Sequence, residues 1–379
     1  MFASRSHHSD ESSRDSGAQG KRKAYSYAEP KFEHVELGFL RVVGRNKVPI
    51  IALDEMLPDF DGKSDGPCQY GATMEVHRKN WKGKGVVVKY IRRTHVGEAY
   101  RRAMADLNFE LQLMSRPSLR DHRNIPKLLA VCFDIQTEDM NGSPVSTAHP
   151  GLVIELAHEQ YPDIRHYFDV GHNPDRPARL PFETSSKFIM DIADGITALH
   201  NHDIVHADLK PENILLFPDP ESPNALVAKV ADFGFVGMTI YNPSGKRVGL
   251  PDGRPRGGTR EWSAPECIEN PDPFPTSGSV QHPSYGAPID IYSFGLLSCY
   301  IALDGQTPIQ YAPNLSICKT SDALLDIAVA RLEDHYQDTS NMESSLKEIA
   351  VNIARRTLHL DWNKRIKSLR SIRGEISRV

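Results

Sequence analysis

Apolar positions recur along this chain at two spacings, and each spacing predicts a different element. Val86-Val-Val-Lys-Tyr-Ile91 and Gly151-Leu-Val-Ile-Glu-Leu-Ala157 are short apolar runs and read as strands, as does Leu226-Val-Ala-Lys-Val230. Over residues 97–116, Met104, Leu107, Leu111 and Met114 return every three or four positions, which predicts a helix with one buried stripe. Phe188, Ile189, Ile192, Ile196 and Leu199 repeat that pattern over 184–200. Ile289 to Leu303 is the longest apolar stretch, but Asp290, Ser293 and Ser298 interrupt it. It reads as a buried helix, because a membrane span needs about 18 or more apolar residues. Val35–Val43 and Val48–Leu53 flank Gly44-Arg-Asn-Lys47 and predict two strands around a turn. Thr137–Pro150 and Asn173–Pro181 predict surface loops. Residues 1–30 hold almost no aliphatic side chains and predict a disordered tail, since they cannot bury enough surface to offset ordering entropy.

Composition narrows the classes. A chain of 379 residues with 39% hydrophobic content can bury a large core. Its net charge of −4 supplies no global basic field, so neither nucleic acid nor an anionic membrane surface is an expected partner. Cys68, Cys132, Cys267, Cys299 and Cys318 are scattered and include no Cys-x-x-Cys pair, which argues for a reducing compartment and against disulfides or structural zinc. Residues 1–20 contain no apolar core of a signal peptide. The expectation is a soluble, cytoplasmic protein; Lys21-Arg-Lys23 is short for a nuclear address and reads first as a solvated patch.

The candidate chemistry lies in His206-Ala-Asp-Leu-Lys-Pro-Glu-Asn213 and Ala231-Asp-Phe-Gly234. Asp208 precedes Asn213 by five residues, with Lys210 between them, and Asp232 follows the strand-like 226–230. In-line phosphoryl transfer needs such a set: one carboxylate orients the attacking hydroxyl, while an amide oxygen and a second carboxylate hold magnesium. Lys89 places an ammonium inside an apolar strand, which is costly unless it is paired. Glu98 and Glu110 are both carboxylates on the helix predicted over 97–116.

These motifs resemble the eukaryotic protein kinase family, from about Gly66 to Arg365. The resemblance implies a bilobal α+β fold. Residues 31–157 would form an N-terminal extension and a small β-rich lobe, and 158–379 a larger helical lobe. It implies ATP and Mg2+ as cofactors and a protein as substrate. Asp208 would be the catalytic carboxylate, Lys210 the lysine beside the transferred phosphate, and Asn213 and Asp232 the metal ligands. Gly66-Pro-Cys-Gln-Tyr-Gly71 resembles the phosphate-covering loop, with Gly66 and Gly71 at matching positions and Cys68 replacing the middle glycine. Lys89 would bind phosphates and pair with Glu110; Ile154 would sit beside adenine, and the backbone from Glu155 to Ala157 would bond the base. Ala264-Pro-Glu266 resembles the end of the activation segment, with Glu266 paired to Arg365. Asp290 would brace the catalytic-loop backbone, and Thr259 would touch Asp208 and Lys210.

Asp208-Leu-Lys210 and Thr259 resemble serine/threonine kinases, and Tyr292-Ser-Phe-Gly295 looks like the tyrosine-kinase-like branch. Ala207 stands where the family commonly has an arginine that binds an activation-loop phosphate, so activity is expected not to depend on phosphorylation there. A nucleotide-binding scaffold without efficient transfer and a small-molecule phosphotransferase are the alternatives. Oligomeric state is not legible.

Overall fold

The computed structural model describes residues 35–58, 69–70, 74–92, 94–140, 143–234, 237–238, 240–241, 247–249, 258–268, 286–311, 323–337 and 341–378. The tail 1–30, Gly66, Cys68, Gly71 and most of the activation segment lie outside the described residues.

Helix α1 (Val35–Asn46) overturns the expectation of two strands around a turn. Phe39 and Val43, one helical turn apart, are both buried, whereas Leu37 and Leu40 face out. The apolar pattern therefore works at a period of 3.6, not 2. Gly44, Arg45 and Asn46 complete the helix, and Lys47 takes the left-handed conformation after it at φ 53°. Of Val48–Leu53, only β1 (Ile50–Ala52) is a strand. A single 3-10 turn, Leu53–Glu55, then leads to β2 (Met56–Pro58).

The sheet adds β3 (Gln69–Tyr70), β4 (Met74–Trp81) and β5 (Lys84–Ile91). Helices α2 (Gly97–Met114) and α3 (Pro117–Arg120) follow, then β6 (Leu128–Met140) and β7 (Ser143–Glu155). Seven strands form one sheet in the order β1-β6-β7-β5-β4-β2, with β3 also on β4. Three residues separate β1 from β2, yet these strands sit at opposite ends of that order. A link of that length spans at most about 14 Å, at roughly 3.5 Å per residue, so the sheet must curl until its ends approach. Val86, Val88 and Tyr90 point from β5 into a small cluster with Ile51, Met56, Ala130, Cys132 and Val153. Lys89 and Ile91 alternate with them and belong to the opposite face, where Ile91 and Met74 join the core that includes Met104, Leu107 and Leu111 of α2.

Thr137–Pro150, expected as a loop, belongs largely to paired strands. The β6–β7 register runs from Leu128 opposite Ile154 to Met140 opposite Ser143. Only Asn141-Gly142 separates the paired ends, and Asn-Gly is the dipeptide that two-residue hairpins favour. Backbone pairing needs no apolar alternation, so side-chain pattern alone does not reveal it. Asn173–Pro181 has no helix or strand.

Beyond β7 the chain is mainly helical: α4 (Ile164–Phe168), α5 (Phe182–His200), α6 (Pro265–Ile268), α7 (Ala287–Ala302), α8 (Ala323–His335), α9 (Asn341–Thr357) and α10 (Arg370–Ile376). Short ladders accompany them: β8 (Ile204–Val205), β9 (Ile214–Asp219), β10 (Ser222–Val230), β11 (Gly237–Met238), β12 (Ile240–Tyr241) and β13 (Arg247–Gly249). Of these, β8, β9 and β10 flank the candidate chemistry. Helix α5 buries the predicted stripe, and α7 is buried on nearly every side, its Asp290, Ser293 and Ser298 included, each of them hydrogen-bonded. No described helix is long and apolar enough to cross a membrane. The architecture is α+β, a β-rich lobe on a helical one.

Candidate active site

The catalytic-loop candidate is held by buried side chains along its length. His206, Leu209, Ile214 and Leu216 are buried, which anchors the loop at both ends and leaves the polar side chains between them to converge. The backbone N–H groups of His206 and Ala207 donate to the two oxygens of Asp290, at 2.8 and 2.9 Å, and His200 Nε2 also reaches that carboxylate at 2.8 Å. Asp290 is itself buried on α7. Those bonds fix Ala207 at φ 66°, a left-handed conformation that costs an L-residue about 1–2 kcal/mol. The His206 ring bridges the two motifs: Nε2 donates to Ala231 O at 2.9 Å, and Nδ1 accepts from Asp208 N at 3.3 Å.

Asp208 is almost fully buried and has a partner on each oxygen. Oδ1 accepts from Thr259 N (2.7 Å) and Thr259 Oγ1 (3.0 Å). Oδ2 accepts from Asn213 Nδ2 (3.1 Å) and faces Lys210 Nζ at 2.9 Å. Lys210 Nζ also donates to Thr259 Oγ1 at 2.9 Å, closing a three-residue ring. Gly258, at φ 123°, allows this approach: a Cβ there would lie 2.9 Å from Ala207 O. Asn213 Nδ2 donates to both Asp208 O and Oδ2, so the atom its side chain can offer elsewhere is the amide oxygen.

The second motif is joined to the first through the backbone, since Ala231 N donates to Asn213 O at 2.9 Å. Asp232 then adopts φ 62° and turns its carboxylate towards the sheet. Lys89 Nζ lies 3.2 Å from Asp232 Oδ1 and 2.9 Å from Glu110 Oε2. One ammonium thus links β5, α2 and the segment after β10. Burial alone would lower the Lys89 pKa, but Glu110 and Asp232 together raise it well above the ordinary lysine value. The Lys89 charge holds Asp232 below the usual carboxylate range. Burial pushes Glu110 up, and the Asp232 charge adds to this against the pull of Lys89. Glu98 is elsewhere: it is half-exposed on the first turn of α2 and pairs with Arg101 and Arg102.

Of the other residues singled out from the sequence, Glu155 ends β7 with its carboxylate turned to the side. That carboxylate accepts from Lys127 N at 2.8 Å and pairs with Lys229 of β10. Glu155 N also donates to Lys127 O at 3.1 Å. Ile154 and Ala157 flank it, both part-buried. Gly66 and Gly71 fall outside the described residues. Glu266 and Arg365 form a bidentate pair at 2.6 and 2.9 Å, with the arginine side chain fully buried.

Sequence reasoning passed over Asn124. It is buried, donates from Nδ2 to Ala228 O (3.0 Å) and accepts from Val230 N (2.9 Å), so it fixes the end of β10 from which Asp232 emerges. In the sequence Asn124 only closes the polar stretch Asp121-His-Arg-Asn124, and a lone asparagine carries no signal of the strand it will meet. His200 was missed for the same reason.

A paired lysine from the β-rich lobe set against two aspartates and an amide oxygen from the helical one defines a phosphotransferase class. The family model described as Protein kinase domain matches residues 66–373, and the chain belongs to that family. Among similar proteins, Serine/threonine/tyrosine-protein kinase HT1 of Arabidopsis thaliana is 27% identical over 248 residues, covering 64% of this chain and 52% of that protein. Probable serine/threonine-protein kinase roco8 of Dictyostelium discoideum is 32% identical over 166 residues, 40% of this chain and 8% of that protein. Serine/threonine-protein kinase GRIK2 of Arabidopsis thaliana is 26% identical over 206 residues, 53% of this chain and 42% of that protein. The chain therefore spans about half, or less, of these relatives' own length.

Proposed function

We propose that this chain transfers the γ-phosphate of ATP to serine or threonine hydroxyls of protein substrates. The observation that carries the reading is the Lys89 ammonium held between Glu110 and Asp232 at 2.9 and 3.2 Å, above a catalytic-loop candidate whose polar groups already converge on Asp208. The names of the similar proteins, which are serine/threonine or serine/threonine/tyrosine kinases, support the choice of acceptor.

The residues fit magnesium. Asp232 and Asn213 offer only hard oxygen donors, and two protein ligands suit an ion that keeps waters and phosphate oxygens in its octahedron. The bound ion would neutralise charge on the phosphates. Lys89 would hold phosphate oxygens, and Glu110 would fix its position. Asp208 would accept a hydrogen bond from the substrate hydroxyl and aim it in line, while Lys210 would offset charge on the transferring group. The backbone from Glu155 to Ala157 would bond the adenine, Glu155 through its carbonyl, because its N–H and carboxylate are engaged elsewhere. Gly66 and Gly71 would cover the phosphates. A reducing, cytoplasmic setting suits Cys132, Cys267 and Cys299, which form no disulfide among the described residues.

The test is transfer of labelled γ-phosphate from ATP-Mg to the chain itself and to a generic basic protein, with Asp208→Ala alongside. Label on serine or threonine with wild type, reduced about 10²–10⁴-fold in the variant, supports the reading. Equal, absent transfer with nucleotide still bound would move the assignment to a nucleotide-binding scaffold. Transfer to small-molecule hydroxyls but not to protein would point to a different phosphotransferase.

A further inference from the structure

The Lys89–Glu110 pair depends on where α2 sits, and α2 is gripped by a segment that precedes the family match at residue 66. We propose that α1 with β1 and β2 is a built-in positioning device, holding α2 so that Glu110 reaches Lys89 without a partner protein. This rests on the kinase reading above. Helix α1 packs along α2, with Phe39 and Val43 buried in the core shared with Met104, Leu107 and Leu111. Phe39 also meets Phe133 of β6 edge-on at 6.2 Å, so one side chain ties α1 to both the helix and the sheet. Gly38 lies against α2: a Cβ there would sit 3.4 Å from Asn108 Nδ2.

The far end of α2 is tied as well. Asn46, the last residue of α1, donates from Nδ2 to Ser115 Oγ at 3.0 Å, and Ser115 directly follows α2. Two contacts, at Phe39 and at Asn46, set both the tilt and the axial position of α2. Strands β1 and β2 then anchor the device to the sheet that bears Lys89. β1 pairs with β6 at one end of the order, β2 pairs with β4 at the other, and Ile51 and Met56 enter the cluster beneath β5. The ammonium and the carboxylate are thus referenced to the same 24-residue segment, 35–58.

The device makes Phe39 and Asn46 positioning residues for Glu110, and a double-mutant cycle in the full chain tests this. Phe39→Ala is expected to lower kcat/KM for phosphate transfer roughly tenfold in the wild-type background, and by less than about twofold when Glu110 is already Gln. Hydrogen exchange supplies a readout that needs no turnover: amides of residues 107–111 should exchange faster in Phe39→Ala while those of α5 are unchanged. If wild type transfers no phosphate, the kinase reading fails and the exchange arm still decides whether α1 holds α2. Equal losses in both backgrounds, or unchanged exchange in α2, overturn the proposal. Should Phe39→Ala fail to fold, Asn46→Ala removes the bond to Ser115 together with a local bond to Val42 O within α1, and the same two measurements apply, with smaller losses expected.

Discussion

Thr259 shows how far one hydroxyl can organise charged neighbours. Its Oγ1 accepts from Lys210 and donates to Asp208, while its amide donates to the same Asp208 oxygen. Thr259→Val would keep the amide bond and the shape but lose both hydroxyl contacts. Each hydrogen bond to a charged group contributes about 1.5–3 kcal/mol, so transfer should fall roughly tenfold or more in kcat with KM for ATP little changed. Steady-state kinetics at varied ATP check this, and an unchanged kcat would mean that the amide alone orients Asp208. This contact could be anticipated from Gly-Thr-Arg-Glu-Trp-Ser-Ala-Pro-Glu266 by resemblance, but its geometry could not, because Thr259 and Asp208 lie 51 residues apart.

Whole elements are held in place by buried polar ties. The Arg365 guanidinium is fully buried between Glu266 of α6 and the carbonyl of Pro288 at the start of α7. Arg365→Ala would remove the fully buried half of the bidentate pair with Glu266, which costs about 3–5 kcal/mol, far more than breaking an exposed pair would. Chemical denaturation should report a loss of that size, and a loss below about 1 kcal/mol would show that solvent reaches the carboxylate. The activation segment is a second test of elements. With Ala207 in place of a phosphate-binding arginine, replacing Thr239, Tyr241 and Ser244, three hydroxyl residues available as phosphate acceptors between Asp232 and Glu266, together by Ala should leave phosphate transfer intact. Abolished transfer with nucleotide binding retained would show that a modified hydroxyl is required.

Across the molecule, burial raises several acids at once. The Cys132 thiol is pushed up from 9.0 to about 11, burial outweighing a contact with the Tyr90 hydroxyl, and Cys299 is pushed up from 9.0 to about 12 by burial. Burial also takes the Tyr300 phenol from 10.0 to about 12. In the folded state these groups stay protonated where the unfolded chain ionises. Their contribution is complete below about pH 9, then declines as pH rises through 11 to 12 at up to about 1.4 kcal/mol per unit and group. Urea midpoints measured at pH 8 and pH 10.5 should fall, and Cys132→Ala with Cys299→Ala should flatten the decline. A midpoint that does not move would mean that the thiols reach solvent.

The catalytic-loop candidate, Asp232, Lys89 and the helices over 97–116 and 184–200 were legible in the chain because each rests on local order. Fixed offsets place Asp208, Lys210 and Asn213 on one loop, and a 3.6-residue period makes a stripe whatever it packs against. The sequence by itself determined that chemistry and those elements. Tertiary structure decided the rest. Val35–Asn46 became a helix because α2 offers Phe39 and Val43 a single buried face, which competed successfully with the strand propensity of its valines. Residues 137–140 and 143–150 became paired strands through backbone bonds that leave no trace in side-chain pattern. Glu110 rather than Glu98 meets Lys89 because packing sets α2 so that position 110 lies level with Lys89 and faces the sheet, whereas position 98, about 18 Å away along the axis at 1.5 Å per residue, is half-exposed. A periodicity says that one face of a helix is buried; only the neighbours it meets decide which carboxylate that face delivers, and to whom.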